Sequence, residues 1–158
     1  MSGSLKLFEV PEQRSPPAAG GRVVIADDDL VVREGIATVL LRSGFDIVGL
    51  AADAEQLIAE VRESVPDLVI VDIRMPPSNT TEGLAAAHTI RTEFPHIAIL
   101  VLSAYVEIEH ARDLLAEGRG IGYLLKNRVT GLSEFLEALD RICQDGTVID
   151  PVLGLSSE

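Results

Sequence analysis

The chain has 158 residues and a formal net charge of −12, from 13 Lys and Arg against 25 Asp and Glu; its 47% apolar content is enough to close one domain's core and excludes disorder throughout. The acidic balance speaks against a basic, phosphate-binding surface, and the single cysteine, Cys143, excludes an internal disulfide framework and a cysteine-based zinc site. No apolar run approaches the roughly 18 residues that span a bilayer, and the N-terminus lacks the basic-then-apolar pattern of a secretory signal, so a soluble, cytoplasmic protein without membrane contact is predicted.

Residues 1–21 read as a disordered leader, broken by Pro11, Pro16, Pro17, Gly20 and Gly21, although Leu5, Leu7, Phe8 and Val10 could form a short docking segment. From Arg22 onward, apolar runs and helical patterns alternate. The runs cover residues 23–26, 47–52, 68–71, 97–102 and 121–125, are rich in Val, Ile and Leu, and lack polar alternation. Strands buried on both faces, as in a parallel sheet, read this way.

After the first run, Val32, Ile36, Val39 and Leu40 share one helical face, with Gly44 as the stop. Asp53 with Gln56 resembles a capping box opening a second helix that buries Leu57 and Val61. A third helix starts near Glu82, turns Leu84, Ala87 and Phe94 inward, and ends before Pro95. A fourth carries Ile108, Ala111 and Leu115 ahead of Gly118, and a fifth carries Leu132, Phe135, Leu136, Leu139 and Ile142. Five such units predict an α/β fold with a doubly wound, five-stranded parallel sheet over residues 22–146. Residues 147–158 read as the start of a linker.

Polar residues close four of the runs: Asp27, Asp28 and Asp29 after the first, Asp72 after the third, Ser103 after the fourth and Lys126 after the fifth. The carboxyl ends of parallel strands share one edge of the sheet, where ligands bind at the topological switch point. Carboxylates crowded there raise one another's pKa unless a cation sits among them, and donors that are all oxygen select a hard ion such as Mg²⁺. A carboxylate beside such an ion can attack phosphorus and form an acyl phosphate, with an ammonium and a hydroxyl meeting phosphoryl oxygens. Singly, each residue has an ordinary alternative: Asp28 or Asp29 as a helix cap, Asp72 in an Asx turn before Met75-Pro76, Ser103 as a cap, Lys126 as a solvated lysine. Jointly, complementary groups at four strand ends favour a site.

The motifs V-V-I-A-D-D-D, D-L-V-I-V-D-I-R-M-P, L-V-L-S-A and G-Y-L-L-K, in this order and spacing, resemble a response-regulator receiver domain over residues 22–146. The wording A-D-D-x-L-V-V-R-E-G is most similar to receivers of the NarL/LuxR class. The resemblance implies a flavodoxin-like (βα)5 fold with strand order 2-1-3-4-5. It implies Asp72 as phosphoacceptor, with Mg²⁺ held directly by Asp28 and Asp72, through water by Asp27, and by the backbone carbonyl of Arg74. It further implies Ser103 as the switch hydroxyl, Lys126 as its paired lysine and Tyr123 as the switch aromatic. The implied partners are a sensor histidine kinase, a second copy in a homodimer to which Leu132 and Leu136 could contribute, and DNA only through a C-terminal helix-turn-helix domain absent here. Transcription regulation would be the output, and the chain's own chemistry would be confined to its phosphorylation and slow dephosphorylation.

The loop from Pro77 to Glu82 is longer than the family's usual Met-Pro-x-x-Asp/Asn-Gly, and Asn127 stands where the family often has proline. The side chain of Arg74 reads as solvated rather than paired, and His88, His96 and His110 as surface positions. Two other readings remain open. One is a receiver-like interaction module independent of phosphorylation; the other is a Mg²⁺ phosphatase with an aspartyl nucleophile, which generally needs a second Asp where this chain has Arg74. Nucleotide binding is disfavoured, because neither G-x-x-x-x-G-K-[ST] nor G-x-G-x-x-G occurs.

Overall fold

The computed structural model describes residues 21–105 and 107–153. The expected docking segment at Leu5, Leu7, Phe8 and Val10, the leader up to residue 20, the Leu115 side chain and residues 154–158 lie outside the described residues. The elements follow in the order β1 (Arg22–Ala26), α1 (Leu30–Arg42), β2 (Asp46–Ala51), α2 (Ala54–Ser64), β3 (Leu68–Asp72), α3 (Glu82–Glu93), β4 (Ala98–Ser103), α4 (Ile108–Leu115), β5 (Ile121–Leu125), α5 (Leu132–Cys143) and β6 (Thr147–Ile149). Every neighbouring pair in the sheet is parallel, in the order β2-β1-β3-β4-β5-β6.

Side-chain alternation along the strands divides the interior in two. Val24, Val69, Val71, Ile99, Val101 and Tyr123 pack on one face with α2, α3 and α4. Val23, Ile25, Leu68, Ile70, Leu100 and Leu124 pack on the other with α1 and α5. Both faces of the central strands are covered, which is why their sequences are continuous apolar runs.

The helix signals act where the sequence places them. Asp29 caps α1, accepting from the amides of Val31 at 2.9 Å and Val32 at 3.3 Å. Gly44, at φ 97°, follows that helix. Asp53 accepts from Gln56 N at 2.8 Å, and the Gln56 side chain reaches back to Ala52 N at 2.8 Å, one residue earlier than a standard capping box.

Three expectations need correction. The sheet has six strands, because Thr147, Val148 and Ile149 pair with β5 where a linker was expected. Three β-branched residues suit an edge strand but are too few to show a period. Ile108 is exposed while Ala111, as expected, and Leu114 face the core, so the first residue of α4 lies outside the buried face. Leu132 is exposed as well, and Phe135, Ala138, Leu139 and Ile142 form the buried stripe of α5. Phe94 is half-buried at the end of α3, where it still packs on the core.

Gly83, in the first turn of α3, packs directly on the end of β3. A Cβ there would lie 1.8 Å from the carbonyl oxygen of Asp72. An alanine in a helix ordinarily gains up to about 1 kcal/mol over glycine. Here Gly83→Ala is expected to lose about 2 kcal/mol or more by forcing α3 off β3, as read by chemical denaturation. A variant as stable as the parent would contradict this close packing.

Candidate functional site

The strand registers dictate where the polar ends meet. Ala26 pairs with Val71, Asp72 with Leu102 and Ser103 with Leu125, so Asp27 and Asp72 stand level at the sheet's carboxyl edge, with Ser103 one step and Lys126 two steps further along. The strand order reverses between β1 and β3, and that switch point opens between Asp27 and Asp72.

Asp27 and Asp72 are buried, while Asp28 is exposed at the rim. The Lys126 ammonium bridges the two buried acids, with Nζ 2.9 Å from Asp27 Oδ2 and 3.2 Å from Asp72 Oδ2. Asp27 Oδ1 accepts the amide of Asp29 at 2.9 Å, and Asp72 Oδ1 lies 3.4 Å from the amide of Arg74. Burial, followed by repulsion from Asp27, raises the pKa of Asp72 to about 6 despite Lys126. Burial acts to lower the pKa of Lys126, but its bond to Asp27 and the charge of Asp72 prevail and hold it above its ordinary value.

One oxygen from each of Asp27, Asp28 and Asp72 comes within 4.8 Å of the others. The set contains no nitrogen or sulfur donor, and one acid faces solvent. It therefore fits a hard divalent cation such as Mg²⁺, which keeps some of its water, and offers nothing that selects zinc or copper. Arg74 follows Asp72 by two residues, and its amide beside Oδ1 brings its backbone to the same place.

Ser103 is fully buried, and its hydroxyl donates to the carbonyl of Tyr105 at 2.8 Å. Tyr123 is also fully buried, with a hydroxyl that has no hydrogen-bond partner among the described residues. Burial pushes its phenol above the ordinary value.

The Arg74 side chain is not solvated. Its guanidinium pairs with Glu107, the residue before α4, and lies 5.2 Å from the centroid of the Tyr105 ring. Glu107 also meets His110 Nδ1 at 3.1 Å. His88 pairs with Glu117 at 2.5 Å, joining α3 to the segment after α4, and His96 is exposed. The long loop before α3 is organised by Glu82, whose oxygens accept from the amides of Ser78 at 2.9 Å and Thr80 at 3.1 Å. The Ser78 hydroxyl bond holds this carboxyl down to about 2, so the loop keeps its anchor across the physiological range. The cis peptide among the described residues is Pro76–Pro77, not the Lys126–Asn127 bond.

Comparison with known proteins agrees with this geometry. The response regulator receiver domain family matches residues 23–140. The chain is similar to the transcriptional regulatory protein LnrK of Bacillus subtilis, with 32% identity over 133 residues covering 84% of this chain and 58% of that protein. It is similar to the oxygen regulatory protein NreC of Staphylococcus carnosus, with 34% identity over 136 residues covering 85% and 60%. The chain thus spans about three fifths of the length of these relatives. Among solved structures it resembles the signal receiver domain of the putative response regulator NarL from Mycobacterium tuberculosis, with a TM-score of 0.65 and 27% identity over 77% of this chain and 97% of that one. Strand order and helix placement agree with such receivers, with β6 an addition at the edge.

A carboxylate held near pKa 6 in the fold and near 3.8 when unfolded opposes folding above pH 6, because the unfolded chain then carries the charge more easily. The penalty develops between pH 3.8 and 6 and vanishes below both values. Without divalent metal, Asp72→Asn is therefore expected to be more stable than the parent by about 1–2 kcal/mol at pH 8 and equal to it near pH 3.5. Paired denaturant titrations read this directly; a variant less stable at pH 8 would contradict the strained carboxylate.

Proposed function

The chain belongs to the response regulator receiver domain family, in the NarL/LuxR class, and is a two-component signalling receiver; from that premise we propose that Asp72 accepts a phosphoryl group from a phosphohistidine of a sensor histidine kinase. The observation that carries the reading is the Lys126 ammonium lying between Asp27 and Asp72, within 3.2 Å of each. It keeps one carboxylate ionised and in place at the open rim, and it supplies a cation where phosphoryl charge would arrive.

An Asp72 oxygen attacks phosphorus as the bond to the histidine nitrogen breaks, giving an acyl phosphate and a neutral imidazole. Asp27, Asp28, Asp72 and the Arg74 carbonyl would hold Mg²⁺. When bound, Mg²⁺ supplies positive charge that offsets the phosphoryl oxygens. Lys126 exchanges its contact with Asp72 for one with a phosphoryl oxygen. Ser103 gives up the Tyr105 carbonyl and donates to another, drawing the β4–α4 connection toward Asp72. Tyr123 is buried beside β4, paired with Val101, and Arg74 ties the β3–α3 loop to the start of α4 through Glu107. Phosphorylation therefore biases α4, β5 and α5 between two arrangements.

The output is a change in homodimerisation or in contact with a C-terminal effector domain. Such a domain would bind DNA and regulate transcription in the cytoplasm, as the names of the regulatory relatives suggest. A phosphatase reading has little support, since Arg74 occupies the place of the second acid and its side chain is engaged by Glu107.

Incubation with acetyl phosphate and Mg²⁺ should add one phosphoryl mass to the parent chain, none to Asp72→Asn, and none to the parent once EDTA has removed the metal. Intact-mass spectrometry reads all three. Equal labelling of parent and Asp72→Asn would overturn the assignment, and an unlabelled parent would favour an interaction module independent of phosphorylation.

A further inference from the structure

Asp150 is fully buried, and phosphoryl transfer as described makes no use of it. It follows β6, and its oxygens take four hydrogen bonds: from Leu125 N at 2.9 Å, from Arg128 Nε and Nη2 at 2.8 Å each, and from Val152 N at 3.0 Å. Its own amide donates to the carbonyl of Tyr123 at 2.8 Å. A buried carboxylate is tolerated only with such complete pairing. Burial pushes its pKa up, but the Arg128 and amide bonds prevail and hold it below the ordinary carboxylate value.

These contacts bracket one residue. Leu125 precedes Lys126, and Arg128 stands two positions after it. Lys126 opens the 3-10 turn Lys126–Thr130, which buries none of its residues and has no side-chain cap of its own. Beyond the ion pairs of Lys126 itself and the bonds to Asp150, the turn's side-chain and cap bonds are local, from Thr130 Oγ1 to the Asn127 carbonyl and from Gly131 N to the Arg128 carbonyl. Val129 packs this half-exposed turn on the core, and the buried carboxylate that follows β6 adds the polar anchor next to the lysine, at Leu125 N and Arg128.

The geometry points to Asp150 as a positioning residue: together with Arg128 it clamps the turn that carries Lys126 and so sets the ammonium between Asp27 and Asp72. This rests on Asp72 being the phosphoacceptor. It also makes β6 and the short turn Pro151–Leu153, which the sequence suggested was linker, part of the apparatus that tunes the site. The role has a signature that general damage lacks. Lys126 assists phosphoryl transfer but competes with a divalent cation for Asp27 and Asp72. Loosening it should slow phosphorylation while leaving cation binding unchanged or tighter, whereas partial unfolding weakens both.

The test compares the parent, Arg128→Gln, Asp150→Asn, Lys126→Ala and the double variant Lys126→Ala/Arg128→Gln in the whole chain. Two quantities are measured: the initial rate of phosphorylation by acetyl phosphate at saturating Mg²⁺, by intact mass, and the Kd of Mg²⁺ alone, by calorimetry. Arg128→Gln and Asp150→Asn are expected to be phosphorylated about tenfold more slowly, with a Mg²⁺ Kd equal to or below that of the parent. In the Lys126→Ala background, Arg128→Gln should add nothing. Rates within about twofold of the parent, rate and affinity falling together, or additive losses in the double variant would each overturn the positioning role. If Asp150→Asn fails to fold, Arg128→Gln decides, because its side chain is partly exposed. A parent that takes no phosphoryl group at Asp72 overturns the receiver reading and this role with it; a labelled parent with an unaffected Arg128→Gln overturns this role alone.

Discussion

Two carboxylates side by side at the end of a buried sheet repel each other, and they stay charged only if a cation lies between them. In this chain the cation is the Lys126 ammonium, against Asp27 and Asp72. Even with it, Asp72 is held near 6, so the pair is poised rather than satisfied. That tension gives the site its chemistry: an oxygen that gains from meeting further positive charge, beside an ammonium able to follow a new anion. Asp28 at the rim completes a donor set suited to a hard cation.

The fold delivers this arrangement by register. Parallel pairing brings Asp27, Asp72, Ser103 and Lys126 to one edge, and helices on both faces cover the strands beneath them. Small constraints then set the rim. Gly83 lets α3 rest on the Asp72 carbonyl, Glu82 ties down the long loop, and Asp150 ties down the turn after β5. Arg74 and Glu107 connect the loop after β3 to α4. The site is thus held from α3, α4 and the edge strand β6, with the Ser103 hydroxyl engaged by the backbone of Tyr105 beside it.

Much of this was legible in the residue pattern. Strands buried on both faces read as unbroken Val, Ile and Leu, and polar residues at their ends must share one edge, so Asp27, Asp28, Asp72, Ser103 and Lys126 could be collected before any coordinates. What escaped notice depends on tertiary partners. Thr147–Ile149 is too short to show a period and becomes a strand only because the edge of β5 is free. Asp150 and Arg128 stand 22 residues apart, and no local pattern pairs them before β6 brings Asp150 to the turn. Arg74 looked solvated because its partner, Glu107, lies 33 residues away across the rim. The faces of α4 and α5 were misjudged at Ile108 and Leu132, both at the first position of a helix, where a side chain lies beyond the packed turn.

The central claim, that distant acids converge on one divalent ion, is tested most directly by titrating the isotopically labelled chain with Mn²⁺ and recording amide broadening. Broadening centred on residues 27–28 and 72–74, saturating at one site and reversed by excess Mg²⁺, is the predicted result. Broadening spread over the acidic surface, or centred on Asp53 and Glu55 beside the long loop, would contradict it.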